Sequence, residues 1–154
     1  MSQYLTLTTY QDLTLAPASY VEFVEAEEPN WINRQLSHLS ALLDAKLAKR
    51  YATPFDADSP PVAVQDWLRR MMDLRLYYKR GVDPTDQQFG EIKEDAKAAW
   101  AEVADAADSD KGHTELPRRA DDPTIGVTRG TPLSYTETSP YIWSDVQADE
   151  NRCR

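Results

Sequence analysis

Arginine and aromatic side chains are interleaved along one segment of the sequence. This combination of residue types can bind phosphates or a protein partner. Residues 62–80 carry five basic residues among three large aromatic ones: Arg69, Arg70, Arg75, Lys79 and Arg80 with Trp67, Tyr77 and Tyr78. Cations beside aromatic rings can hold the phosphates of a nucleic acid. Arginine and aromatic residues are also enriched at protein interfaces.

The overall charge argues against the nucleic-acid interpretation of this basic cluster. The chain has 26 acidic and 17 basic residues and a net charge of −9, whereas binding to duplex DNA requires cations that neutralise phosphates. We therefore predict that the cluster pairs with Asp66, Asp73 and acids of neighbouring helices. Arg69 and Arg70 are retained as candidates for contact with a protein partner.

The remaining reactive residue types form no catalytic pattern in the sequence. His38 and His113 have no second ligand at the spacing that a helical metal pair requires. Ser37, His38 and Asp44 do not make a triad, because adjacent helical residues point in different directions. The sequence predicts a protein that is not an enzyme and that has no cofactor and no metal site.

Composition is typical of a folded intracellular protein. With 154 residues, of which 41% are hydrophobic, the chain is the size of one domain. Its apolar runs fall short of the roughly 18 residues of a membrane span, and no signal peptide is evident. The single cysteine, Cys153, permits no disulfide within the chain and favours a reducing cytoplasm.

Hydrophobic periodicity predicts an all-α fold, a small helical bundle that has an extended C-terminal tail. A leucine-rich stripe at spacings of three and four residues predicts a helix over 31–51, capped by Asn30. Two further helices are predicted over 62–80, capped by Gly81, and over 84–107, capped by Asp83 and opened by Pro84. The predicted core is Leu36, Leu39, Leu43, Trp67, Leu68, Met71, Leu74, Ile92 and Trp100.

The N-terminal segment predicts shorter elements. A threonine cap near Thr9 with Asp12 three positions later favours a short helix. Residues 17–28 predict a second one, which Pro17 begins and Pro29 ends. A short edge strand over residues 4–8 is the alternative for the first residues.

Glycine and proline become frequent after residue 107, so we divide the chain into a helical domain, 1–107, and a tail, 108–154. Segments 124–128 and 135–143 are β-prone but bury too little to be stable alone. The tail nevertheless carries apolar and aromatic residues that predict contact with a partner: Leu133, Tyr135, Tyr141, Ile142 and Trp143. Either these residues order against another subunit or protein, or they pack back over the chain's own helices.

Several short motifs resemble the head-tail connector (adaptor or head-completion) proteins of tailed bacteriophages, in particular the Mu-like branch. They are Tyr4, Thr9-Tyr10-Gln11-Asp12-Leu13, the segment 43–55 (LDAKLAKRYATPF), Pro60-Pro61 and the segment 68–78. The resemblance covers about residues 4–105. Two departures are the Glu-rich loop at 25–30 and the longer tail.

This resemblance implies a virion structural protein located in the phage neck. It implies a homo-oligomer, a dodecameric ring between the portal protein and the next neck or tail component, which DNA only passes through. It implies neither catalysis nor membrane contact. The alternative function is a small cytoplasmic helical adaptor or regulatory protein that binds a partner, including nucleic acid, through its tail or its basic cluster.

Overall fold

A computed structural model describes residues 3–81, 87–108 and 112–120 of the chain, and these residues are mostly helical. All of them belong to one compact unit, Met1–Asp122. Among the described residues the structure contains five helices: α1 (Leu7–Leu13), α2 (Ala18–Glu27), α3 (Trp31–Leu47), α4 (Val62–Arg80) and α5 (Gln87–Ala107). The all-α prediction is confirmed, whereas the β-prone segments lie outside the described residues.

Helix α4 is the centre of the bundle, as its broad apolar surface predicts. It packs against α2, α3 and α5. Gly81 ends it in the left-handed conformation (φ 78°), and its N–H donates to the Tyr77 carbonyl. The predicted glycine cap is therefore confirmed, while the predicted start of the last helix at Asp83 and Pro84 lies outside the described residues.

Helix α3 is four residues shorter than predicted. It ends at Leu47 rather than at residue 51. Beyond that point the backbone turns to meet a later segment: Ala52 N donates to Pro117 O (2.9 Å), and Arg119 N donates to Arg50 O (3.0 Å). Tertiary pairing thus replaces the last helical turn.

The N-cap of α3 also differs from the prediction. Asn30 occupies the cap position in the left-handed conformation (φ 62°), but its side chain makes no capping bond. Glu25 performs that role from α2: its carboxylate accepts from Asn30 N (2.8 Å) and from Ile32 N (2.9 Å). An acid at a helix start satisfies free N–H groups and complements the helix dipole.

The first residues form a helix instead of the alternative edge strand. Thr6 caps α1 by accepting from Thr9 N (3.2 Å), so the cap lies three residues earlier than predicted. Tyr4 and Leu5 precede the helix and are both buried. Ser40 Oγ on α3 accepts from Tyr4 N (3.4 Å), which holds Tyr4 against α3.

The predicted core is largely confirmed. Leu36, Leu39, Leu43, Trp67, Leu68 and Met71 are buried. Leu74, Ile92 and Trp100 are partly buried and pack against the same cluster. The Lys46 ammonium lies over the Trp100 ring, 5.5 Å from its centroid.

Residues 112–120 return to the helical body, which the predicted boundary at 107 did not anticipate. Leu116 is buried, and Arg118 forms an antiparallel bridge with Tyr51. Gly112 has φ 63°, a conformation that favours glycine, and a Cβ there would lie 2.6 Å from Arg50 Nη2, so the guanidinium would have to shift. The folded body therefore extends beyond residue 107.

Within the described residues no helix is long and apolar enough to cross a membrane.

Candidate functional site

Arg69 and Arg70 lie in an ionic cluster between α4 and α5. The Arg69 guanidinium contacts Asp66 (3.1 Å), Asp73 (3.3 Å) and Asp95 (3.7 Å). The Arg69 and Arg70 side chains are only 15% and 14% exposed. The predicted pairing of these arginines with Asp66, Asp73 and a neighbouring helix is confirmed.

The Arg70 side chain bridges two helices through the same cluster. Its Nε donates to Asp66 Oδ2 (2.7 Å), and its Nη1 donates to Glu102 Oε1 (2.8 Å) on α5. Glu102 also accepts from Trp67 Nε1 at 2.7 Å. Arg70, Asp66, Glu102 and Trp67 therefore form one connected network.

The titration behaviour of these carboxyls follows from their contacts. The hydrogen bond from Arg70 holds the pKa of Glu102 below its ordinary value. Burial acts to raise the pKa of Asp66, but hydrogen bonds from Arg70 and Arg69 outweigh it, and the pKa is lowered. Both acids are held charged, so the charges of Arg69 and Arg70 are neutralised within the cluster.

The other basic residues of α4 have different partners. Arg75 donates to Gln35 (2.5 Å), and desolvation lowers its pKa. Lys79 pairs with Glu28 at 3.1 Å. Arg80 stacks on Tyr20, with 3.9 Å from its guanidinium carbon to the ring centroid. Thus Lys79 pairs with an acid as predicted, whereas Arg75 and Arg80 use an amide and an aromatic ring.

A second set of polar contacts ties the N-terminal segment to the helices. The Tyr4 hydroxyl donates to Asp44 and accepts from Phe55 N (2.9 Å). On α1, the Tyr10 hydroxyl donates to Asp73 Oδ1 (2.7 Å), and Thr14 Oγ1 donates to the same oxygen (2.5 Å). Burial raises the pKa of Asp73 in spite of these bonds and of Arg69.

The Tyr51 hydroxyl joins the returning segment to α5. It donates to Ala106 O (3.0 Å) and accepts from His113 N (2.6 Å). The His113 ring meets Trp67 edge to face at 5.5 Å between centroids. The structure therefore places the His113 ring against the core residue Trp67.

The other predicted reactive residues are not brought together. His38 is exposed, with Nδ1 3.4 Å from Arg75 Nη1. Ser37 donates to Gln3 (3.0 Å), and Asp44 accepts from Tyr4. In residues 3–81, 87–108 and 112–120, no group of acids, histidines and cysteines could hold a metal ion.

The predicted partner residues of the tail, Leu133, Tyr135, Tyr141, Ile142 and Trp143, lie outside the described residues. Comparison with family models, curated proteins and solved structures finds no match for this chain. The site has therefore to be interpreted from its own chemistry. That chemistry is a set of ion pairs in which acids neutralise both arginines and which joins α4 to α5.

The fold forms a surface groove between α3 and α5 that the sequence did not predict. Its volume is about 470 Å³, and it is lined by Lys46, Lys49, Val103, Ala104, Ala107 and Asp108. The spacing of Lys46 and Lys49, three residues apart on a predicted helix, was the available signal. The small residues Ala104 and Ala107 leave the space, and only the fold brings them beside the lysines.

Proposed function

We propose that this chain is a structural virion protein of a tailed-phage neck. In this function it forms a ring, dodecameric as the resemblance implies, between the portal and the tail. The ring extends the DNA channel and docks the next neck or tail component. The proposal rests on the motif resemblance and on the burial of motif residues where separate segments of the chain pack together.

The observation that carries the proposal is the burial of the motif residues. Tyr4, Tyr51 and Phe55 are all buried, with exposures of 3%, 0% and 5%. Tyr4 bonds to Asp44 and to the backbone of Phe55, which connects separate motifs. These buried residues determine how the helices pack against one another. The resemblance therefore concerns the arrangement of the helices more than the chemistry of the surface.

Charge supports a channel that DNA passes through without being held. The chain carries a net charge of −9, and Arg69 and Arg70 of α4 are already paired with carboxylates. Phosphates could engage Arg69 or Arg70 only by displacing Asp73 or Glu102, which would leave acids unpaired. This pairing disfavours the nucleic-acid form of the alternative adaptor function.

Quantitative mass spectrometry of particles made by the encoding genome tests the proposal. We expect the chain in purified particles at one copy per portal subunit, because a ring stacked on the portal shares its symmetry. A soluble protein of the same lysate serves as the control for carry-over. Particles that contain the portal but contain this chain only at the level of that control would contradict the proposal.

A further inference from the structure

We infer that the α3–α5 groove of one copy receives the outer face of α2 from a second copy. The α2 outer face consists of Glu22, Phe23, Ala26 and Glu27, which are exposed on one side of that helix. The inference deepens the proposed ring, on which it rests, by naming the two surfaces that join neighbouring subunits.

The groove offers two cations that, within the part of the chain described, are not paired with acids, and of these Lys46 lies over the Trp100 ring. Lys46 and Lys49 are exposed, and neither has an acidic partner among the residues that the structure describes. By contrast, Arg69, Arg70 and Lys79 are paired with acids. Beneath the lysines, Ala104 and Ala107 leave a recess of about 470 Å³.

The α2 outer face carries the complementary features. Phe23 is 50% exposed, a large apolar side chain for a surface helix. Arg80 lies 5.7 Å from its ring centroid and supports one side of it. Glu22 and Glu27 flank the ring; Glu22 has no cationic partner among the described residues, and Glu27 lies 4.0 Å from Lys79 Nζ. An aromatic side chain flanked by acids fits a small-residue recess flanked by lysines.

Charge complementarity between the two surfaces points to a second copy as the occupant. Chains of net charge −9 repel one another unless a cationic surface meets an acidic one. The groove lies between α3 and α5, whereas the outer face lies on α2, and all three helices pack on α4. Two separate complementary surfaces make a head-to-tail interface, which repeats and closes into a ring when the rotation permits.

Charge reversal in matched pairs tests this interface on the full chain. We expect Lys46→Glu/Lys49→Glu and Glu22→Lys/Glu27→Lys each to weaken self-association by at least about tenfold in sedimentation experiments over a concentration series. An equimolar mixture of the two variants should recover association, because every acidic surface again meets a basic one. Lys93→Glu/Lys97→Glu, which changes α5 outside the groove, is the control and should associate as the wild type does.

Cross-linking gives a second readout that does not depend on charge. With Cys153→Ser in both chains, a Phe23→Cys chain and an Ala104→Cys chain should form a mixed disulfide under mild oxidation, alone or when bound to the portal. Reversed variants that associate like the wild type, a mixture that does not recover, or the absence of this disulfide would each overturn the inference.

The two proposals fail in different ways. If rings form on the portal and are insensitive to the reversals, the interface is wrong and the neck function stands. If the mixed disulfide and the charge recovery are observed but the chain does not bind the portal, the interface stands and the neck function is wrong.

Discussion

The Tyr10 hydroxyl donates a hydrogen bond of 2.7 Å to Asp73 Oδ1, which ties α1 to the middle of α4. Tyr10 has no exposed surface, and Asp73 is 3% exposed. A carboxylate at such a position needs its donors, because an unsatisfied buried acceptor is costly. The contact therefore fixes where the N-terminal helix lies on the bundle.

Replacing Tyr10 with Phe should lower the free energy of unfolding by about 1–3 kcal/mol, because it removes a donor from a buried acceptor and leaves the ring in place. Urea denaturation checks the value. Tyr78→Phe is the matched control, since Tyr78 is 59% exposed. Equal stability of the two variants would show that the hydrogen bond to Asp73 contributes nothing.

Asp73→Asn should change how stability depends on pH. Burial raises the pKa of Asp73 above its ordinary value of 3.8, so the folded state binds the proton more tightly than the unfolded state. This group therefore contributes stability at acid pH that is lost as pH rises through its folded pKa. Urea titrations across this range should show the wild type losing stability relative to Asp73→Asn as pH rises. A constant difference between the two proteins would contradict this account.

Reversing Arg69 and Arg70 to Glu should destabilise the folded chain by about 3 kcal/mol, because Asp73 would lose its cation while remaining buried. DNA affinity, measured by fluorescence anisotropy with a duplex, should stay as weak as in the wild type. Lys93→Glu/Lys97→Glu makes the same charge change at an exposed surface and should cost little. Tight duplex binding by the wild type that the double reversal abolishes would contradict the structural role.

A chain that ends at residue 122 should unfold like the full chain, whereas one that ends at 108 should lose about 1.5–3 kcal/mol. The shorter chain lacks Leu116, whose burial accounts for a loss of this size. It also lacks the backbone pairing of 117–119 with 50–52. Thermal and urea unfolding compare the two chains, and identical stability would mean that the returning segment contributes nothing to the fold.

Local sequence signals predicted the helices that depend on local physics. The leucine stripe of α3 and the Gly81 cap of α4 depend on residues within a few positions of each other, which periodicity and capping rules describe. The pairing of Arg69 and Arg70 with Asp66 was predictable for the same reason, because all three lie on one helix.

Features that join distant segments could not be predicted in this way. The end of α3 at Leu47 depends on Pro117, and Asp73 gains its donors from Tyr10 and Thr14, about sixty positions earlier. The cap of α3 by Glu25 required knowing how α2 meets the next helix. The α3–α5 groove likewise exists only once Ala104 lies beside Lys46 and Lys49.

Native mass spectrometry of the full chain mixed with the portal protein of the same genome tests the proposed neck function. We expect a complex that contains one chain per portal subunit, so that the added ring has the portal's own symmetry. An assembled portal that binds no copy of this chain at any mixing ratio would contradict it.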